Sequence, residues 1–232
     1  MAAPNASLEA AAEPSAFRVG LRAGTAIAPA VFVIAVSFGV LARDLGWGIV
    51  APIVASTIVF SGSAQFALAE VLEAGGTALA AIIAAILVNA RFAVMGVAVA
   101  SIFRGGPLRR ALEAQTTVDA SWALANQGGG RFDRELLMGA TLPQYVAWVG
   151  GTVVGVFAGN AISDPEALGL DVVFPAFFLY LLLDELRRGS EYVAAALIAA
   201  AIALLLIPVT PPGIPIIAAC AGAILGLRRR EA

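Results

Sequence analysis

The sequence predicts an all-α, polytopic membrane protein with about seven transmembrane helices, and three observations carry that expectation. Apolar residues fill 60% of the 232 positions and charged ones 13%, against roughly 45–50% and 25% in soluble chains. So much apolar surface does not fit inside one compact fold of this length, so the solvent must be a bilayer. Uncharged runs recur at the roughly 17–25 residues that a helix needs to cross. Period-two alternation, the mark of a membrane barrel, is absent, and lipid leaves backbone groups no other partner than a helix.

The runs set the elements in order. Residues 1–15, Ala-rich and polar, read as a disordered N-terminal tail without the layout of a cleaved signal. Ala23–Ala42 is the first span and Leu45–Ala69 the second. The third runs from Ala74 through Arg91 to Phe103. Residues 108–127 form a polar helix carrying Glu113, Thr116, Thr117, Asp119, Ser121 and Asn126, and Gly128–Gly130 is a flexible link. Leu136–Ser163 and Ala167–Leu183 are the fourth and fifth spans. Tyr192–Leu227 is too long for one crossing, and Pro208, Pro211, Pro212, Gly213 and Pro215 divide it into a hairpin. Residues 228–232 make a basic cytoplasmic tail, so 16–227 is a single transmembrane transporter domain.

Seven spans with the N-terminus outside put eleven of the fourteen arginines inside, leaving only Arg18, Arg22 and Arg91 elsewhere. Eight spans are the alternative, with Ala111–Gln127 as a polar crossing. A shift of 114 residues aligns Pro29 with Pro143, Phe60 with Phe174, Leu68 with Leu182 and Glu70 with Asp184. On that basis 17–103 and 131–207 are expected to be a three-helix inverted repeat with some helices broken, an architecture found in many secondary transporters.

The missing residue types exclude much chemistry. The chain has no His and no Lys, and Cys220 is its only cysteine. Schiff-base cofactors, P-loop lysines, Ser-His triads and the usual zinc and haem sites are therefore not expected, and no metal or cofactor is assigned. A net charge of −2 gives no reason to expect nucleic acid.

Polar residues at membrane depth are the functional candidates. Phe60-Ser61-Gly62-Ser63-Ala64-Gln65-Phe66 combines a possible helix opening at Gly62 with an amide that needs several partners. Close helix packing is the competing role for its small residues. Asn89-Ala90-Arg91 places a guanidinium mid-span, suited to a carboxylate, unless Arg91 snorkels to an interface. Asp119 is a partner for Arg91 or a proton carrier if its helix enters the membrane, and is otherwise part of a solvated face. Pro143-Gln144-Tyr145 near Trp148 lines a cavity or, for the two aromatics, joins an interfacial belt.

These motifs, with Ser37-Phe38-Gly39 and Leu142-Pro143-Gln144-Tyr145, resemble the AzlC family, the large subunits of bacterial branched-chain amino acid exporters. The likeness runs from about Arg18 to Leu186. Ser61 stands where the family commonly has Ala, and Ala120 where it often has a second acid. The resemblance implies a multi-pass protein of the bacterial inner membrane. It implies export of branched-chain or related amino acids, and a small AzlD-type membrane subunit as partner. On this reading Ser61, Gly62, Ser63, Gln65, Asn89, Arg91, Gln144 and Tyr145 bind substrate and Asp119 couples transport to protons. A channel or passive pore for small polar solutes is the alternative, and no nucleophile–base pair points to an enzyme.

Overall fold

The computed structural model describes residues 15–128, 130–159, 190–210 and 214–219, together with 176, 179, 182, 183, 186 and 187. Most of the expected N-terminal tail, nearly all of the fifth span and the basic tail lie outside the described residues, as does Cys220. Every regular element described is helical: α1 (Ala16–Asp44), α2 (Val50–Ile58), α3 (Gly62–Glu73), α4 (Ala78–Val99, continued by a 3-10 turn to Ile102), α5 (Pro107–Ala114), α6 (Asp119–Ala125), α7 (Arg134–Ala158), α8 (Ser190–Leu206) and α9 (Ile214–Ala219). The chain is a multi-helix membrane protein.

Among the described residues only α1 and α4 are both long and apolar enough to cross a bilayer, fewer than the expected spans. α7 has 25 residues, about 38 Å of helix at 1.5 Å per residue. Its length suffices, but Arg134, Glu135, Pro143 and Gln144 lower its apolar character. Pro143 does not break it. The expected C-terminal hairpin is divided where its prolines predict, since α8 stops at Leu206 and α9 begins at Ile214.

The second expected span, Leu45–Ala69, is not one helix. It breaks between Ile58 and Gly62, and α3 folds back beside α2. Trp47, before α2, and Phe66, on α3, both pack on Phe38 of α1, with ring centres 6.1 and 5.5 Å away. A straight helix would hold residues 47 and 66 about 28 Å apart. The opening at Gly62 is found, but the backbone strain falls on Phe60, whose φ is +42°. A bulky side chain in that region costs roughly 1–3 kcal/mol, and the Tyr145 ring, edge-on at 5.0 Å, holds it there.

The polar helix expected at 108–127 is likewise two short helices, α5 and α6, linked by 115–118. Phe103 before α5 and Ala125 at the end of α6 share one apolar cluster with Val99 and Leu137, so α6 returns to the end from which α5 set out.

α1 and α7 form the frame. A Cβ on Gly39 would stand 2.5 Å from the Thr152 carbonyl, and one on Gly151 2.5 Å from the Phe32 carbonyl. Only glycine permits such backbone approach. Gly20 meets Leu136 and Ala140, while Gly159 meets Arg43. The two helices therefore run in the same direction, whereas a three-helix inverted repeat sets them antiparallel. α4 opposes both, because its end at Val99 lies against Leu137 near the start of α7.

Candidate functional site

The tips of the two hairpins meet beside the middle of α4. Gln115 Nε2 donates to the Ile58 carbonyl (2.8 Å), and a cavity of about 190 Å³ lies between the tips, lined in part by Phe60, Ser61, Asn89, Gln115 and Thr117. A larger cavity of about 430 Å³ lies between α2, α3 and α4. Its walls are mostly apolar (Val59, Ala64, Leu68, Ile82, Ile86), with Gln65 and Asn89 as the polar exceptions. Val59 and Asn89 line both spaces.

Five expected site residues come together here. Ser61 Oγ donates to Asn89 Oδ1 (2.6 Å). Arg91 Nη2 donates to Ser63 Oγ (2.8 Å) on α3 and to Asp119 Oδ2 (2.9 Å) on α6. One guanidinium nitrogen on a continuous helix thus joins both returning helices. Asp119 is the ion partner that the sequence offered for Arg91. Both side chains are partly exposed, at 35% and 51%, and neither lines the two cavities, which end at Ser61 and Asn89 on this side. Arg91 Nε and Thr117 Oγ1 are buried without a hydrogen-bond partner among the described residues.

The other expected residues stand behind this junction. Gln65 is buried and sits in a closed ring of hydrogen bonds. Trp148 Nε1 donates to Gln65 Oε1 (2.9 Å), and Gln65 Nε2 donates to Ser56 Oγ (3.0 Å). Ser56 bonds Thr152 (2.7 Å), whose hydroxyl donates to the Trp148 carbonyl (2.9 Å). Gly62 lies against the Trp148 ring, where a Cβ would come within 2.7 Å. Gln144 Nε2 donates to the Ala140 carbonyl of its own helix (2.8 Å). Tyr145 donates to the Thr57 carbonyl (3.0 Å) and braces the tip. Sequence reasoning missed Ser56 and Thr152, and the only signal was a hydroxyl inside an apolar run, which is common in helices.

The α5–α6 hairpin is fastened by charge. Glu113, buried in the last turn of α5, accepts from Arg134 and Arg109 side chains and from the Arg104 backbone. The Thr116 carbonyl at the tip accepts from Thr141 (2.6 Å) on α7 and from Ser121 (3.0 Å) on α6.

Residues 26–162 match the AzlC protein family, a stretch that contains both hairpins, α4 and all of α7. An uncharacterized membrane protein of Archaeoglobus fulgidus is 34% identical over 212 residues, covering 90% of this chain and 93% of that one. The inner membrane protein YgaZ of Escherichia coli K12 is 28% identical over 179 residues, 72% of each chain. The branched-chain amino acid transport protein AzlC of Bacillus subtilis is 24% identical over 167 residues, 69% of this chain and 64% of that one. No solved structure matches. The family match spans more than half of the sequence and encloses every residue of the junction on Arg91, so the chain belongs to the AzlC family.

Proposed function

We propose that the chain is the large subunit of a two-component secondary exporter of branched-chain or related amino acids, driven by protons, with its substrate site at the junction on Arg91. Membership in the family makes it a multi-pass transport protein of the bacterial inner membrane, not an enzyme. The finer reading rests on one observation above all. Among the described residues, Arg91 is paired with a single, half-exposed carboxylate and keeps a buried Nε–H with no hydrogen-bond partner.

A zwitterion fits that arrangement without changing the total charge. Its carboxylate would replace Asp119 on the guanidinium, a two-pronged acceptor for a two-pronged donor. Its ammonium would take Asp119, with the carbonyl oxygen of Asn89 as a further acceptor. Ser61, Ser63 and the first N–H groups of α3 at Gly62 would complete the head-group contacts. The branched side chain would enter the apolar cavity past Asn89. Gln65 and Tyr145 would serve by holding α3 and the Phe60 tip in register with α7. Protonation of Asp119 would weaken its hold on Arg91, and this is the step we assign to proton coupling. The small AzlD-type subunit remains part of the proposal.

Leucine efflux from a strain lacking its own exporter, supplied with this chain and the small subunit, tests the reading. Arg91→Ala and Gln65→Ala are expected to abolish efflux while both proteins remain in the membrane. Normal efflux from Arg91→Ala would remove the junction from consideration.

A further inference from the structure

A second internal likeness links the two hairpins. Ala64-Gln65-Phe66-Ala67-Leu68-Ala69 on α3 aligns with Ala120-Ser121-Trp122-Ala123-Leu124-Ala125 on α6, 56 residues on. Four of the six positions are identical and a fifth exchanges one aromatic ring for another. In an Ala-rich chain such a match carries little alone, but the elements follow the same shift. It carries 50–58, the span of α2, to 106–114, where α5 lies, and it carries most of α1 onto α4.

The hydrogen bonding is similar in kind, although the partners Ser56 and Thr116 do not themselves correspond under the shift. Gln65 reaches across its own tip to Ser56 and is held by Trp148 of α7. Its counterpart Ser121 reaches within its own tip to the Thr116 carbonyl, which Thr141 of α7 also holds. Thr141 and Trp148 are seven residues apart, two turns along one face. Ser63 and its counterpart Asp119 both accept from the same nitrogen of Arg91. The copies are inverted, since α1 runs with α7 and α4 against it.

We infer that residues 16–73 and 78–125 are two inverted copies of one unit, a long helix followed by a half-depth hairpin. Their hairpins enter from opposite membrane faces and meet on Arg91, with Ser63 and Asp119 as equivalent ligands of its guanidinium. The helical halves bear on this depth: 9 and 12 residues in the first copy and 8 and 7 in the second are about 10 to 18 Å long, one third to just over half of a hydrocarbon core of roughly 30 Å. Backbone that is not helical is tolerated at that depth where protein covers it. A solute held between the tips is then separated from each face by a single hairpin. Two like gates of opposite orientation are what alternating access requires.

The inference concerns topology and stands whether or not leucine is the solute. Cys220→Ser gives a background free of cysteine, into which Asp44→Cys, Glu73→Cys, Arg104→Cys and Gln127→Cys are placed singly, all at exposed positions. A membrane-impermeant maleimide is applied to intact cells and to inverted vesicles. Residues 44 and 73 are expected to react at least tenfold more from one face, and 104 and 127 likewise from the other. Leu45→Cys and Ala74→Cys serve as a second pair should either of the first fail to insert. Labelling of 44 and 73 from opposite faces would mean that α2 and α3 together cross the membrane, and would overturn the inference, as would 104 and 127 on opposite faces.

Discussion

The two hairpins share a geometry and differ in what fastens them. α2–α3 is held by neutral groups: the ring through Gln65, Ser56, Thr152 and Trp148, and the aromatic cluster of Phe38, Phe66 and Trp148. α5–α6 is held by a buried carboxylate among arginines, with two hydroxyls at its tip. In the first hairpin α3 is largely buried, and an ion there would cost several kcal/mol to desolvate. The second keeps Arg109 and most of α5 exposed, and its carboxylate is neutralised by the arginines around it. Only at Arg91 do the two styles meet, a charge on one side and a hydroxyl on the other.

That asymmetry can be broken most severely at the junction itself. Asp119→Ser is expected to cut leucine efflux at least tenfold. The exchange Ser63→Asp with Asp119→Ser restores an ion pair to Arg91 from the other hairpin and is expected to recover most of that loss. Equal failure of the single and double variants would show that the two ligands of Arg91 are not interchangeable. Next in size, Gln65→Leu opens the neutral ring and strands the Trp148 N–H. A buried donor left unpaired costs about 1–3 kcal/mol, to be read as a lower melting temperature in detergent with little dependence on salt.

Glu113→Gln separates the hairpins. It removes the charge on which Arg134 and Arg109 close, so hydrogen exchange over 107–125 is expected to rise, while 50–73, whose fastening ring is neutral, changes less. A stability loss of about 2 kcal/mol is expected of Phe60→Gly, which relieves roughly 1–3 kcal/mol of backbone strain but removes a buried ring worth about 3–5 kcal/mol.

Much of the site was legible in the sequence because polar groups are conspicuous in an apolar chain. Arg91, Asn89, Ser61 and Ser63 stand together, and Asp119 is their ion partner. The hairpins were not legible. Two half-depth helices and one crossing have the same composition, and the turn at 59–61 carries no proline, its strain resting on a phenylalanine. The 114-residue likeness aligned α1 with α7 through Pro29 and Pro143, two helices that run the same way. The inverted relation lies at half that distance, hidden because glutamine in one copy is serine in the other and serine is aspartate. Gln144 was singled out from its type alone, and its amide nitrogen donates to the preceding turn.

The central claim is that a zwitterion displaces Asp119 from Arg91. Leucine binding to the purified complex with its small subunit, measured calorimetrically for the parent and for Arg91→Ala, tests it most directly. The account predicts saturable binding to the parent and at least a hundredfold weaker binding to the variant. Unchanged affinity in Arg91→Ala, with the variant folded, would contradict it.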